Sequence, residues 1–483
     1  MKSIALRCDR CVAQSNHTIR SHLLTIITAI ILSLPCVHLS AQSAVQIVYR
    51  GHQQFDSISR IVSIDRRHGD TLIAYGNPDE LQRLTTAGIV YTPLAEKSRS
   101  KDIITAPTIE RMLRWDRYPT YEVYCALMQR WAAQFPTLCR IDTIGHSVEG
   151  RLILCANITN FQDSSTSSER PQFFYSSTIH GDELTGFYLM LHLIDTLLNS
   201  YSVDPALTRL VDSVNIFINP LANPDGTYHG GNSNIAAAQR FNANLIDLNR
   251  NYPDPFGAVL LNPIQTENQS MMDYISAHHF VLSANIHGGS EVANYPWDSF
   301  TLAQREPPHC TWWQNTCAQF VERVRSIDPD RMTDVNQSGY ICGGDWYVIH
   351  NGRQDWVNAT TGCLEMTLEI STTKKLTTDS LLHYWHVFSP ALTYYIGVSL
   401  SLPEQLQVTH SITTEPQIQV YPNPTHNAIR IQNSSTSRMW LTDNYGRVLQ
   451  QYQPHTTTID LAPYAAGTYL LHTPTHHIRI IKQ

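Results

Sequence analysis

Three side chains that can bind a metal ion follow apolar stretches of the chain. His180 and Glu183 lie three residues apart in IHGDE, after the apolar run QFFYSST, and His287 follows FVLSAN in SANIHGG. Two imidazoles and one carboxylate make a three-ligand zinc set, which leaves one coordination position open, as a catalytic zinc requires and a structural zinc lacks. Ligands at the ends of two strands predict a site at the rim of a sheet, where α/β enzymes place their chemistry.

Neither part of this set is specific by itself. The tetrapeptide HxxE occurs by chance in many proteins, and a chain with 22 histidines has many that only pack in the core or lie on the surface. The prediction of zinc therefore depends on the residues that accompany the three ligands.

Length and composition are those of a globular protein with several domains. A chain of 483 residues has room for two to four domains and a large core, and its net charge of -7 is mild. It has no basic run and no alternation of aromatic and basic residues, so nucleic acid is not an expected partner.

The N-terminus predicts an export signal over residues 1–41. Arginines precede the apolar stretch Leu23–Leu34, which is too short to span a bilayer, and the small residues of LSA allow cleavage before Gln42. Cys36 lacks the small preceding residue of a lipoprotein signal, so no lipid anchor is expected. No later segment predicts a membrane span.

Removal of this signal would leave seven cysteines, which are Cys125, Cys139, Cys155, Cys310, Cys317, Cys342 and Cys363. Export permits disulfides, but an odd number leaves at least one thiol free. The sequence does not assign their pairing.

The pattern of apolar residues divides the remaining chain into three domains. Residues 44–97 predict a small α/β domain, with FDSISRIVSI as its first helix, that is either a pro-segment or a permanent accessory domain. Residues 107–402 interleave apolar strands with amphipathic helices, which predicts a mixed sheet buried on both faces. Seven short strands predict a small β-sandwich over residues 417–483.

The stretch from Tyr118 to Leu400 resembles the zinc metallocarboxypeptidases, and most closely the regulatory branch that removes C-terminal Lys or Arg. The shared fragments, in order, are HGDE, NPDG, DLNRNYPD, NIHGG, GGDWY and LEMTLEIS. The resemblance implies an eight-stranded mixed sheet with helices on both faces. It also implies one zinc ion per catalytic domain, held by His180, Glu183 and His287.

The same resemblance implies roles for four further residues. Asn249 and Arg250 match the clamp for the terminal carboxylate of the substrate, which a guanidinium meets with two parallel hydrogen bonds. Arg240 matches the arginine that stabilises the oxyanion, an interaction worth about 3–4 kcal/mol of barrier. Tyr347 matches the tyrosine that closes over bound substrate.

Strand geometry leaves the general base open between two glutamates. Glu365 and Glu369 are four residues apart in LEMTLEI, so on a strand both point to the same side. The family resemblance selects Glu369, which would take a proton from a zinc-activated water and return it to the leaving amine.

Substrate preference is predicted from Asp298 in NYPWD. This residue matches the acidic group that receives Lys or Arg side chains, and Gln354 matches a polar neighbour in that pocket. An acidic group in a half-buried pocket selects cationic substrates by charge. Arg353 departs from the family pattern, and its charge could shield Asp298, so the basic preference stays open.

Residues 417–483 resemble the sorting domain of type IX secretion, through VYPNPT, NYGRVL, AAGTYLL and the basic end HIRIIKQ. This resemblance implies passage through the outer-membrane secretion machinery of a Gram-negative bacterium. The mature protein would then be secreted or held at the cell surface.

The sequence as a whole predicts a secreted zinc carboxypeptidase that acts on peptides or proteins with free C-termini. Two alternatives stay open. An amidase of the same fold would cut cell-wall peptides or acyl-amino acids, whereas a catalytically silent surface binding protein would lack stoichiometric zinc.

Overall fold

The computed structural model describes residues 43–94, 103–163, 170–402, 419–432, 439–443, 448–472 and 477–483. The predicted export signal at 1–41 lies outside these residues. None of the helices formed by the described residues has the length and apolarity needed to cross a bilayer. All seven cysteines of the predicted mature chain are described, and each is a free thiol.

The N-terminal domain is a β-α-β-β-α-β unit. Its elements are β1 (Ser43–Val48), α1 (Gly51–Ser59), β2 (Ser63–His68), β3 (Thr71–Gly76), α2 (Pro78–Thr86) and β4 (Tyr91–Pro93). The sheet has the order β2-β3-β1-β4, so β2 is an edge strand. Buried residues alternate along β1 and β3, and they form a separate core with Phe55 and Ile58 of α1.

The strand β2 differs from the sequence prediction. FDSISRIVSI was expected to be one helix, but α1 ends at Ser59 and β2 begins at Ser63. The sequence of β2, SIDRRH, is almost entirely polar. It therefore shows no apolar alternation, which is the signal by which a strand is recognised in a sequence.

The central domain contains the predicted eight-stranded mixed sheet. Two short strands, β5 (Thr105–Ala106) and β6 (Tyr118–Pro119), pair separately at its start. The sheet comprises β7 (Cys139–His146), β8 (Leu152–Ile158), β9 (Gln172–Ser177), β10 (Asn215–Asn219), β11 (Phe280–His287), β12 (Glu291–Tyr295), β13 (Tyr340–Cys342) and β14 (Leu364–Ile370). Its order is β13-β12-β14-β11-β9-β10-β8-β7, with β10, β9, β11 and β14 as parallel neighbours.

Helices cover both faces of this sheet. They are α3 (Ile109–Met112), α4 (Tyr121–Gln134), α5 (Leu184–Asn199), α6 (Pro205–Ser213), α7 (Pro224–Thr227), α8 (Thr266–Ser276), α9 (Cys310–Arg325), α10 (Gly343–Trp346), α11 (Arg353–Thr360) and α12 (Thr378–Val398), with 3₁₀ turns at Leu248–Arg250 and Ser399–Ser401. Successive residues of β9 serve the two faces. Phe173 and Tyr175 pack in the core with α4, α5, α9 and α12, whereas Phe174 packs in a second core with α8 and α11.

The C-terminal region contains all seven strands that the sequence predicts. They are β15 (Gln419–Tyr421), β16 (Ala428–Gln432), β17 (Met439–Asp443), β18 (Val448–Tyr452), β19 (Thr458–Asp460), β20 (Gly467–His472) and β21 (His477–Lys482). The strands form one three-stranded and one four-stranded sheet. Ile429 of the first sheet and Leu441 and Leu471 of the second belong to one buried core.

Candidate active site

The three predicted metal ligands converge at the carboxyl edge of the central strands. His180 and Glu183 lie in the loop between β9 and α5, and His287 is the last residue of β11. The Nδ1 atom of His180 is 3.0 Å from Glu183 Oε1 and 3.1 Å from His287 Nδ1, which is itself 2.9 Å from Glu183 Oε2. All three residues are buried. Burial lowers the pKa of His287 to about 4, so its imidazole is neutral and can donate a lone pair.

Two polar residues hold the outer nitrogens of these imidazoles. His180 Nε2 lies 3.1 Å from Asp247 Oδ1, and His287 Nε2 lies 2.8 Å from the side-chain amide of Asn285. An N–H at each Nε2 leaves the lone pair of each Nδ1 free for a cation. For Asn285 this requires Oδ1 to face the ring, a reorientation of the amide that gives a partner to an oxygen otherwise lacking one among the described residues.

This donor set fits zinc. Two imidazoles and a carboxylate meet at one place, and their ligand atoms all lie within 4.8 Å of one another. A pair of Nδ1 atoms 3.1 Å apart with no hydrogen between them is an arrangement that a cation stabilises. The structure thus brings together all three ligands that the sequence predicts.

Asp247 connects one metal ligand to Arg240. Its Oδ2 accepts a hydrogen bond from Arg240 Nε at 3.0 Å, while its Oδ1 faces His180. Burial opposes the charged carboxylate, but Arg240 outweighs burial and holds the pKa of Asp247 well below its usual range. Arg240 also lies 3.5 Å from Glu183, so its guanidinium is fixed beside the metal ligands.

Glu369 lies in the same cavity as the metal ligands. It pairs in register with His287 across the parallel strands β11 and β14. Its Oε2 is buried and has no hydrogen-bond partner among the described residues. Burial, followed by the nearby Glu183 carboxylate, raises the pKa of Glu369 well above its usual range.

Glu365, the other candidate base, is bound elsewhere. Arg353 donates to it twice, from Nε to Oε1 at 3.0 Å and from Nη2 to Oε2 at 2.8 Å, and Ser283 donates to Oε2 at 2.9 Å. The side chains of Glu365 and Arg353 are fully buried. The charge of Arg353 is therefore compensated by Glu365, which argues against the expectation that it shields Asp298.

Arg250 and Asn249 line the cavity beside the metal ligands. Arg250 uses Nη1 to donate to the Asn249 carbonyl at 2.9 Å, whereas its Nε and Nη2 are buried without a partner among the described residues. Asn249 accepts a hydrogen bond from the Arg353 backbone on Oδ1, so its NH₂ group remains as the donor. These donors suit a carboxylate ligand.

Asp298 lines the same cavity, and Gln354 contacts it from behind the cavity wall. Gln354 Nε2 donates to Asp298 Oδ1 at 2.9 Å, and Asp355 accepts the backbone N–H groups of Asp298 and Ser299 at 2.8 and 2.9 Å. Burial and the nearby Asp355 carboxylate raise the pKa of Asp298 well above its usual range. A Cβ on Gly343 would lie 2.0 Å from Asp298 Oδ1, so only glycine leaves room there.

The N-terminal domain reaches into this cavity through β2. Ile64 and Asp65 line it together with the metal ligands. Asp65 Oδ1 lies 2.7 Å from the Nζ of Lys374, and the hydroxyl of Ser63 donates to Asp247. The predicted substrate-covering residue, Tyr347, packs against the core of the N-terminal domain.

Sequence reasoning missed four residues of this site. Asp247 and Asn285 stand in the fragments DLNRN and NIHGG, so their place two residues from a predicted site residue was a usable signal. Lys374 and Asp65 carried no such signal, because their roles depend on how two domains meet.

Residues 124–389 match the family described as zinc carboxypeptidase, and residues 419–483 match the secretion system C-terminal sorting domain. Carboxypeptidase D of Rattus norvegicus is 31% identical over 319 residues, 64% of this chain and 23% of that protein. Carboxypeptidase M of Mus musculus is 34% identical over 294 residues, 58% of this chain and 65% of that protein. The chain thus spans about a quarter of the length of carboxypeptidase D.

Solved structures share the fold at lower identity. Carboxypeptidase A from Helicoverpa armigera superimposes with a TM-score of 0.55 at 17% identity, covering 75% of this chain and 98% of that one. Thrombin activatable fibrinolysis inhibitor gives a TM-score of 0.55 at 14% identity, covering 75% and 100%. At such identities the likeness extends to the fold alone.

The two glutamates of β14 should differ in their effect on stability. Glu365→Gln leaves Arg353 as a buried charge without a counter-ion, and we expect it to lower the free energy of unfolding by about 3–5 kcal/mol. Glu369→Gln, the matched control on the same strand, removes a carboxylate without a partner and should change it by less than about 1 kcal/mol. Denaturant unfolding followed by tryptophan fluorescence measures both. Equal losses would contradict the assignment of Glu365 to structure.

Proposed function

Because the chain belongs to the zinc carboxypeptidase family, we propose that its central domain hydrolyses the last peptide bond of peptide or protein substrates. The observation that carries this proposal is the environment of Arg250. Its Nε and Nη2 groups are buried in the cavity of the metal ligands and lack a partner among the described residues. A guanidinium edge in that position suits a substrate that ends in a carboxylate.

The proposed mechanism starts from this anchor. The terminal carboxylate binds Arg250 and the amide of Asn249, which places the last peptide bond at the metal ligands. His180, Glu183 and His287 would hold the zinc ion, which would supply Lewis-acid chemistry toward the peptide carbonyl and water. Glu369 accepts a proton from the attacking water on Oε2 and passes it to the leaving amine nitrogen. Its raised pKa suits a group that must hold the proton between these steps.

Two further residues act on the reacting peptide. Arg240 would stabilise the negative oxygen that forms when water adds to the carbonyl. Its contacts with Asp247 and Glu183 hold the guanidinium in place, so little reorganisation is needed during the reaction. Tyr347 would cover the substrate once the N-terminal domain no longer packs against it.

Removal of the base or of the metal should abolish hydrolysis. We expect Glu369→Gln to lower kcat by about 10²–10⁴-fold with an unchanged zinc content, because only the proton transfer is lost. A chelator should stop the wild-type enzyme, and added zinc should restore it. The measurement is the release of single amino acids from peptides that differ only in the last residue, after separation of the N-terminal domain. Undiminished activity of the variant would move the base to another residue.

We propose a preference for C-terminal Lys or Arg. Asp298 offers a buried carboxylate, and the Oε1 of Gln354 is a buried acceptor without a partner among the described residues. Two buried acceptors suit an ammonium or guanidinium group. Compensation of Arg353 by Glu365 supports the proposal, since the counter-ion of Arg353 is Glu365 and not Asp298. A bound Lys or Arg cation would oppose the rise in the pKa of Asp298 and so favour its charged form.

Asp298→Asn should change specificity more than catalysis. We expect kcat/KM for peptides ending in Lys or Arg to fall about 10²-fold, because a buried charge pair is lost. Peptides ending in Leu serve as the control and should change far less. An equal fall for both classes would argue against a charge-selective pocket. Release of acylated or D-amino-acid products, with none from these peptides, would favour the amidase alternative.

We further propose that residues 43–94 are an inhibitory pro-segment. Ile64 and Asp65 of β2 form part of the wall of the cavity that holds the metal ligands, and Tyr347 packs against Phe55 of the N-terminal domain with ring centroids 6.4 Å apart. A peptide cannot reach Arg250 along the same path while β2 lies there. The polar face of β2 thus substitutes for substrate.

Cleavage between the two domains should activate the enzyme. A specific protease site placed between residues 94 and 103 allows activity to be measured on the same preparation before and after cleavage. We expect hydrolysis of a Lys-ending peptide to rise at least tenfold after cleavage and dilution, because the N-terminal domain then dissociates. The control is the chain without the introduced site, treated with the same protease. Equal activity before and after would make the domain a permanent accessory.

The C-terminal β-sandwich is proposed to direct export and to take no part in catalysis. Its match to a secretion sorting domain supports passage through the outer-membrane machinery of a Gram-negative bacterium. Afterwards it would be removed or would attach the enzyme to the cell surface.

A further inference from the structure

A network of ion pairs connects the N-terminal domain to the metal ligands. Lys374 contacts three carboxylates and Arg240 contacts two, and Glu183 is common to both. The pairs are Lys374 with Asp65 at 2.7 Å, Asp182 at 3.4 Å and Glu183 at 3.4 Å, and Arg240 with Glu183 at 3.5 Å and Asp247 at 3.0 Å. One of these carboxylates, Asp65, comes from the N-terminal domain.

The network has a negative formal charge, which would favour a bound dication. Its four carboxylates and two cations sum to a formal charge of -2. Without Asp65 the charge would be -1. The side chains involved are nearly all buried, so solvent screens these charges only weakly.

We propose that Lys374 is a positioning residue that links docking of the N-terminal domain to metal binding. Lys374 holds the carboxylate of Glu183 from one side and is itself held by Asp65, while its ammonium lies 4.8 Å from the ring of Tyr75, also in the N-terminal domain. When the N-terminal domain leaves, Lys374 loses its contacts with Asp65 and Tyr75. Its charge then acts on Asp182 and Glu183 alone. This proposal rests on the proposed zinc site.

The sign of the linkage follows from charge. Docking adds a negative carboxylate beside the site of a dication and draws Lys374 away from the ligand carboxylate, so both effects favour the metal. Docking also closes the cavity through which a metal ion would leave. Because linkage is reciprocal, the metal must favour docking by the same factor.

A second contact acts in the same direction. The hydroxyl of Ser63 donates to Asp247, and Asp247 holds His180 in the tautomer that binds a metal. Asp65 and Ser63 of β2 thus contact Lys374 and Asp247, respectively. Lys374 in turn orients Glu183, and Asp247 orients His180. Without the docked strand, each of these orienting groups loses a partner.

The first test measures zinc release from the full, uncut chain into a chromogenic chelator. We expect Asp65→Asn to release zinc at least fivefold faster than wild type, and Ser63→Ala to release it faster by a smaller factor. Asp70→Asn is the matched control, since it removes the same charge from an exposed position on the same hairpin. Equal release rates for wild type and Asp65→Asn would overturn the proposal.

The second test measures the reciprocal effect by hydrogen exchange on the full chain. We expect removal of zinc to speed exchange in residues 63–68 while leaving the C-terminal β-sandwich unchanged. In Lys374→Met the exchange of β2 should be fast both with and without zinc, because the anchor is lost. A β2 strand whose exchange does not respond to zinc in the wild type, or responds as strongly in Lys374→Met as in the wild type, would contradict the linkage.

These readouts separate this inference from the proposed function. A chain that binds no zinc would defeat both the carboxypeptidase proposal and the linkage. A chain that binds zinc and hydrolyses peptides, but releases zinc at the same rate in every variant, would defeat the linkage alone.

Discussion

The parallel alignment of β9, β11 and β14 is the constraint on which the site depends. Parallel neighbours end at one edge of a sheet, so the register that pairs His287 with Glu369 also fixes a metal ligand relative to the candidate base. Because these strands are buried on both faces, a slip by one residue would exchange the side chains of the two cores. Packing of the core therefore sets the geometry of the chemistry.

Compensation of buried charge separates the structural from the reactive groups of this site. Asp247 is compensated by Arg240, and Glu365 by Arg353, so each pair costs little and can stay dry. Arg250 and Glu369 retain buried polar atoms without partners among the described residues. Leaving such groups unpaired costs free energy, and a bound carboxylate or water at these two places would recover it.

Strands and their ends could be predicted from local sequence patterns. The apolar runs of β9 and β11 predicted the strand ends and hence the convergence of His180, Glu183 and His287, and turn residues predicted the seven strands of the β-sandwich. Strand parity could not separate Glu365 from Glu369, because only the partner on α11 distinguishes them. For the same reason the sequence could not show that Arg353 is compensated. The pattern of apolar residues does not show which distant side chains, such as Arg353 and Glu365, form an ion pair.

The polar strand β2 shows why this limit matters for regulation. An edge strand that faced solvent or its own core would carry apolar residues on at least one side, and periodicity would then reveal it. Ser63 and Asp65 of this strand instead contact Asp247 and Lys374 of the central domain, so part of its polar sequence matches the charges of another domain. Docking also covers an edge that would otherwise be exposed to strand pairing. Two of the polar residues that hide this strand in the sequence, Ser63 and Asp65, are therefore the ones that contact the central domain.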